Sequence, residues 1–500
     1  MRICPFCLNK IESNNVDFLF DKEFTDWEFM NEMSSDAEFV LNAREDHKYQ
    51  KFRKMKKLSV ANRTEIMRVY VNREELYGMI NTLRKRCEQD PQENVWDADN
   101  RIDETFLFED GEELRVRYQC NEDEDSMLEV QSGIQISRAS MICSCCHNIL
   151  PSGFFRYPQI TIGLIGKKDA GKTCMLVSMF ANNMKAINGS RVLHFTEAQT
   201  MQDSSYRELR RKITLLEEEG ICPDPTRGEF IAPVMLKAEW KVDGESHYAM
   251  VCIYDAAGEL LEKPNENAEV LDNVVYTDGW LYLIDPQNTK FGTTVETLSA
   301  DKKNMILKKA KILDIYQQRR WQQDVHKQNR GTVHDVMQQL LSEVNTEAQT
   351  QNFYRHLWNC YVERKWMRNS SDVPEVALIL SKSDDVISFL NEKYGQEVPL
   401  FDRRIDYISP EGSELWKDRK ETIKQIFKEY VVDIDNLNAD YPAAPDVYLA
   451  SALGCSTKED TDGRKVVYKL DGIYDPIRVG EAFVRMTMNL MQNRLEREDK

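Results

Sequence analysis

A chain of 500 residues, 41% of them hydrophobic, exceeds one ordinary domain and carries enough apolar material for a sizeable core. Its formal net charge of −18 and pI near 5.1 argue against a general nucleic-acid binder, and no apolar run approaches the roughly 18 to 20 residues needed to span a bilayer. The opening residues, Met1-Arg-Ile-Cys-Pro-Phe-Cys7, lack a signal-peptide core, and twelve cysteines, two groups of them in C-x-x-C spacing, suit a reducing compartment with a metal site better than a disulfide framework; a soluble cytoplasmic protein is expected.

In chain order, Cys4-Pro-Phe-Cys7 comes first and Cys143-Ser-Cys-Cys146 returns much later. Each is a tight thiolate turn, and two such turns together supply a tetrahedral Zn²⁺ site. Their separation far exceeds the ~15–20 residues of a zinc ribbon, so pairing them requires residues 8–142 to be an insertion that returns to its start. The expectation is one structural Zn²⁺ on Cys4, Cys7, Cys143 and Cys146, with Cys145 and His147 nearby as further ligand candidates; redox or buried-cysteine roles are the alternative. Within the insertion, Asn14 to Asp46 mixes carboxylates with Phe18, Phe20, Phe24, Trp27, Phe29 and Phe39, which suits a helical or docking segment. Lys48 to Arg86 is basic, and its Leu76, Met79, Ile80 and Leu83 fit one helix face. A solvated face is the plain reading of that stretch, and a phosphate-rich or acidic partner, local nucleic acid included, is the sharper one. Glu113 to Tyr118 alternates like a strand, and Asn121 to Asp125 is an acidic loop.

The stretch Gly163 to Thr173 organises the rest of the chain. Ile160, Ile162, Leu164 and Ile165 precede the loop as a buried strand, and Met175, Leu176, Val177, Met179 and Phe180 continue from it as a helix. Gly166, Gly171, Lys172 and Thr173 fill the fixed places of G-x-x-x-x-G-K-[ST]. In such a loop the backbone from Gly166 through Lys167, Lys168, Asp169 and Ala170, and on to Cys174, closes around phosphates where the helix dipole favours anions. Lys172 is expected to reach the outer phosphates and Thr173 to hold Mg²⁺.

Two strands, Glu229 to Trp240 and Tyr248 to Tyr254, then flank the turn Asp243-Gly244-Glu245, and the second ends in Asp255-Ala-Ala-Gly258-Glu259. There Asp255 is placed to hold Mg²⁺ through water and Gly258 to offer its N–H to a γ-phosphate. Trp280 to Asp285 is another buried strand. Helical spacing runs on through Met305, Ile306, Met337, Leu340 and Leu341 as an inserted arm at about 290–372; Arg319, Arg320 and Arg330 are a solvated face, or one of them an internal arginine finger. Val373 to Leu380 leads into Ser381-Lys382-Ser383-Asp384. The Asp384 carboxylate can accept two hydrogen bonds from guanine that adenine cannot supply, and the Lys382 stem can cover the base. Val447 begins a last strand and loop that includes Ser451-Ala452-Leu453.

Taken in order, these stretches resemble the phosphate-loop, D-x-x-G, [NT]-K-x-D and S-A-[KL] signatures of GTPases, and residues 158–500 resemble the translation-factor-related class. Ser381 departs from the usual Asn or Thr, which weakens the tie to the phosphate loop and leaves the carboxylate in place. The Cys-rich knuckle, Pro225-Thr226, the strand end Leu283 to Pro286 and Pro476-Ile-Arg-Val479 resemble bacterial double-GTPase-like domains. The expected fold is α/β: a doubly wound, mostly parallel sheet in residues 158–500 with a helical insertion, preceded by a zinc-knuckle unit in 1–157 that carries its own long insertion. The resemblance implies GTP and GDP as ligands, Mg²⁺ at Thr173, Thr226 and Asp255, and contact of the Ser451, Ala452 and Leu453 loop with the guanine carbonyl. It further implies slow hydrolysis through Lys172 and Glu259, and a switch for unidentified protein partners in a multi-protein bacterial conflict system. A P-loop ATPase and a nucleotide scaffold without turnover are the alternatives; Asp384 discriminates the first and Glu259 the second. The Glu259 charge lies near the γ-phosphate and calls for a partner or a cation such as Arg227 to offset it.

Overall fold

The computed structural model describes residues 2–20, 40–42, 46–55, 67–71, 73–92, 101–109, 111–120, 125–184, 187–188, 192–199, 204–224, 233–242, 244–255, 276–293, 354–355, 357–359, 361–362, 373–395, 399–402, 406–438, 444–462 and 465–498. The N-terminal part is rich in strands. The pair β1 (Arg2–Ile3) and β2 (Lys10–Ile11) frames the first Cys-x-x-Cys turn. Next come β3 (Val16–Phe20), β4 (Val40–Asn42), α1 (His47–Met55), β5 (Met67–Val71) and α2 (Arg73–Arg86). An antiparallel meander of β6 (Arg101–Leu107), β7 (Glu113–Gln119), β8 (Met127–Ser132) and β9 (Gln135–Arg138) comes after them. Finally β10 (Ser140–Cys143) pairs with β3 and completes a sheet of order β10-β3-β5-β4.

The local sequence explains much of this. In β7 the residues Leu114, Val116 and Tyr118 alternate inward, while Arg115 turns outward to Asp103 at 2.7 Å. In α2 the side chains of Leu76, Met79, Ile80 and Leu83 are buried at i, i+3, i+4, i+7 spacing. Its basic end is answered internally, since Arg84 donates to both carboxylate oxygens of Glu104 at 3.0 and 2.7 Å. One expectation for the N-terminal residues, a helix in the acidic, aromatic stretch, meets a different outcome among the described residues. The acidic, aromatic stretch starts as β3, whose five residues are all buried, because β-branched and aromatic side chains covered on both faces favour a strand over a helix. The basic stretch is interrupted by β5.

The C-terminal part holds β11 (Gln159–Gly166), α3 (Lys172–Met184), β12 (Leu193–Glu197), α4 (Ser204–Glu219), β13 (Val234–Val242), β14 (Glu245–Asp255), β15 (Gly279–Ile284) and α5 (Lys290–Thr293). It continues with β16 (Glu375–Leu380), α6 (Ile387–Tyr394), α7 (Pro410–Ile426), α8 (Ile434–Asn438), β17 (Asp446–Leu449), the hairpin β18 (Thr457–Asp462) and β19 (Lys465–Leu470), and α9 (Glu481–Glu498). Seven strands form one sheet in the order β12-β13-β14-β11-β15-β16-β17. The pairings from β14 to β17 are parallel and those of β12 with β13 and β13 with β14 antiparallel, so the sheet is mixed and mostly parallel, as an α/β fold requires. Every residue of β11 and β15 is buried, and the parallel register brings the ends of β11, β14, β15, β16 and β17 to one edge, where such sheets bind ligands. No described helix is long and apolar enough to cross a membrane.

β14 separates two apolar cores. Ala249, Val251 and Ile253 belong to the core of the large sheet, whereas Met250, Cys252 and Tyr254 face a second core shared with Cys4, Phe6, Cys143 and Cys146. The alternation is the period of two of a strand covered on both sides. Backbone groups of Ile3 also exchange hydrogen bonds with the Gln159 amide, at 3.3 and 3.0 Å, so the Cys-rich knuckle lies directly against the strands that lead to the ligand edge.

Candidate functional site

Gly166 ends β11 with φ 155°, and a Cβ there would meet the Leu283 carbonyl oxygen at 2.7 Å, so the turn into the loop requires glycine. Lys172 opens α3 and is buried; its ammonium donates to the carbonyls of Gly166 and Lys167, both at 2.9 Å. Thr173 Oγ1 donates to Asp255 Oδ2 at 2.9 Å, since the β11–β14 register sets Asp255 opposite Leu164. The other oxygen, Asp255 Oδ1, is buried without a hydrogen-bond partner among the described residues. Burial pushes the Asp255 carboxyl above the usual carboxylate range, against the pull of Lys172 and the Thr173 hydroxyl. A half-satisfied buried carboxylate beside a hydroxyl at a helix start is a hard-oxygen donor set, and it fits Mg²⁺.

Ser381 Oγ donates to Ile284 O at 3.1 Å, on the neighbouring strand. Lys382 takes a left-handed conformation, φ 48° and ψ 37°, and its Cε lies 3.9 Å from where a Cβ of Gly171 would be, so its stem runs along the phosphate loop. Its ammonium donates to Asp285 Oδ2 at 2.7 Å. Burial works against that charge, but Asp285 outweighs it and raises the Lys382 pKa. Asp384 Oδ1 accepts from Ser451 Oγ, and that oxygen in turn accepts from Gly454 N at 3.0 Å. Ser178 Oγ on α3 donates to Ala452 O at 2.6 Å, which ties the helix after the phosphate loop to the Ser451–Leu453 loop.

One cavity of about 520 Å³ joins these parts. Lys168, Asp169, Gly171, Lys172, Thr173 and Cys174 line it from the phosphate loop, and Ser381, Lys382, Asp384, Ser451, Ala452 and Leu453 line it from the other end. Gly166, Lys167, Ala170 and Asp255 belong to the same constellation without lining the cavity. The sequence reading missed a third wall: Cys222, Pro223 and Asp224 beyond α4, together with Cys455, Thr457 and Tyr468 at the hairpin. The dipeptide Asp462-Gly463 was the available hairpin signal. It also missed Asp285 as the partner of Lys382. Thr226, Arg227, Gly258, Glu259, Arg319, Arg320, Arg330 and most of the arm at about 290–372 lie outside the described residues.

The four sulfurs of Cys4, Cys7, Cys143 and Cys146 all lie within 4.8 Å of one another, and the Cys4–Cys146 and Cys7–Cys143 pairs are each 3.8 Å apart. Four thiolates on a tetrahedral Zn²⁺ with bonds of ~2.3 Å stand about 3.8 Å apart. The two turns repeat each other as C-x-x-C-x-N. Leu8 and His147 come directly after the second cysteine with φ 60° and 54°, and Asn9 and Asn148 donate from their side chains to Cys7 Sγ at 3.3 Å and Cys146 Sγ at 3.2 Å. Burial pushes the Cys4 and Cys146 thiols up, while hydrogen bonds from neighbouring thiols pull Cys7 and Cys143 down. Thiols this close ionise together only around a cation. His147 is not a fifth donor: Nε2 lies 2.9 Å from Asp17 Oδ2 and Nδ1 2.9 Å from Asp46 Oδ1. Cys145 is exposed.

The fold and this cavity define an α/β P-loop nucleotide-binding domain. Residues 160–361 match the family model described as Double-GTPase 2, a similarity that supports a double-GTPase-like P-loop domain over this stretch. The match takes in the phosphate loop and Asp255 and ends before Lys382, Asp384 and Ser451, which reach the site on β16 and β17 of the same sheet. No match to a curated protein was found.

Proposed function

We propose that the protein binds GTP and GDP with Mg²⁺ and serves as a nucleotide-dependent switch with slow hydrolysis. The observation that carries this reading is the Asp384 carboxylate, held by Ser451 at the end of the cavity that begins at Lys172 and Thr173. In this reading Lys172 turns from its loop carbonyls to the outer phosphates, and Thr173 and Asp255 hold Mg²⁺, which neutralises phosphate charge. Lys382 covers the base, Asp384 reads its edge, and Ser451 to Leu453 close over the guanine carbonyl. Thr226 and Gly258 report the γ-phosphate and Glu259 orients the attacking water. Residues 158–500 carry the nucleotide reaction, and residues 1–157 form a knuckle unit on one structural Zn²⁺. The setting is cytoplasmic, with a protein partner that senses the nucleotide state in a bacterial conflict system.

Titration of labelled GTP and ATP in Mg²⁺ tests the reading: tighter GTP binding is expected, and equal affinity overturns it in favour of an ATPase. In the same assay Glu259→Ala should keep GTP affinity and slow single-turnover hydrolysis; an unchanged rate with GTP affinity intact rules out a catalytic role for Glu259 and strengthens the scaffold reading. Elemental analysis should find one Zn²⁺ per chain, lost in Cys4→Ser and in Cys143→Ser. Zinc content unaffected by either substitution would rule the pairing out.

A further inference from the structure

A nucleobase is flat, and a site holds it firmly only when something covers each of its faces. The stem of Lys382 supplies one cover. Among the described residues that line the cavity, Tyr468 is the one aromatic side chain, and it comes from β19, outside every nucleotide-binding signature of the chain. It is 43% exposed, so the ring stands at the cavity mouth and not in a core. Its hydroxyl donates to Glu459 Oε1 at 3.3 Å, directly across the hairpin in register, which orients the ring.

The hairpin itself is anchored beside the site. Cys222 N donates to Tyr468 O and Leu470 N to Gly220 O, both at 2.8 Å, and Ile221 bridges Lys469. Cys222 and Pro223 of that anchoring segment line the same cavity, as does Thr457 at the start of β18. An exposed aromatic ring on a fixed backbone, lining the same cavity as a base-reading carboxylate, is a stacking platform.

We propose that Tyr468 stacks on the base of the bound guanine nucleotide and that the β18–β19 hairpin is the fixed wall carrying it. The proposal rests on the guanine-nucleotide reading of the cavity. Stacking does not distinguish one base from another, so Tyr468 sets affinity while Asp384 sets preference. Affinities of the full chain for GTP, GDP and ATP in Mg²⁺ should therefore be compared for the wild type, Tyr468→Ala, Tyr468→Phe and Asp384→Ala. Tyr468→Ala is expected to weaken GTP and GDP about tenfold or more with the GTP to ATP ratio unchanged, and Tyr468→Phe, which keeps the ring, to stay close to the wild type. Wild-type affinity for GTP in Tyr468→Ala overturns the proposal, as does an equal loss in Tyr468→Phe, which would assign the effect to the Glu459 bond. Failure of the guanine reading is seen separately, as a wild type without preference for GTP or an Asp384→Ala protein that keeps it.

Discussion

Asp384→Ala is expected to abolish the preference for GTP over ATP while leaving Mg²⁺-dependent phosphate binding through Lys172 and Thr173 in place. The carboxylate is the acceptor that guanine can satisfy with two donors and adenine cannot, and at a site built for hydrogen bonding that difference is worth on the order of several kcal/mol. Ser451 orients one oxygen of that carboxylate, and its hydroxyl keeps the bond from Gly454 N when the carboxylate is removed. Burial raises the Asp384 carboxyl above an ordinary aspartate, only partly opposed by the Ser451 hydroxyl. Protonation removes an acceptor, so the preference should fade on acidification, starting at a higher pH than an exposed aspartate would give. The ratio of GTP to ATP dissociation constants, followed against pH in the wild type and at neutral pH in Asp384→Ala, checks both statements. A variant that still favours GTP would falsify the assignment.

The second large effect lies away from the cavity. Glu481 opens α9 and is buried among three guanidinium groups. Arg478 Nε donates to Oε2 at 2.6 Å, Arg485 Nε to Oε1 at 3.3 Å, and Arg419 NH2 stands 3.6 Å from Oε1. Glu481→Ala is expected to cost about 3–5 kcal/mol of stability, because it strands buried cations without their counter-ion. Arg419→Met should cost far less, since Arg419 Nε and NH1 already lack partners among the described residues. Urea unfolding of the two variants compares these losses directly. Burial works to raise the Glu481 carboxyl, but Arg478, Arg419 and Arg485 overcome it and hold the pKa below the usual range. Its contribution is therefore fully present above the unfolded-state pKa and is lost as the pH falls through the lower folded value; Glu481→Gln should lack that acid limb. Because α9 packs on β11, β15 and β16, this cluster also braces the strands that lead to Gly166 and to Ser381.

The parts of the site that were legible in the sequence are those where a fixed local spacing has its own chemistry. Gly166 is required by the approach of Leu283, Lys172 and Thr173 by the helix start, and the two C-x-x-C turns by thiolate geometry. Asp384 and Ser451 were legible one loop at a time, though not the hydrogen bond between them. Strand β3 hid because it is covered on both faces and so shows no alternation. The basic end of α2 read as a free surface because Glu104, which answers Arg84, arrives on a later strand. The Tyr468 wall depends on Ile221 meeting Lys469, a pairing across the chain that no local pattern encodes. Asn9 and Asn148 were in plain view, but a side chain that caps a thiolate obeys no spacing rule applied to the cysteines alone.

The twin knuckles also set the topology of the chain. Cys7 and Cys143 are 136 positions apart, so an ion on the four sulfurs would close everything between them into one excursion whose neck is the pair of knuckles. Closure entropy grows only with the logarithm of contour length, about 0.6 kcal/mol for each doubling, whereas the neck itself is fixed by Gln159 and the buried face of β14. Loops within that segment can therefore change length at small cost in closure entropy, while the register of β11 and β14, and with it the spacing of Thr173 and Asp255, stays the same.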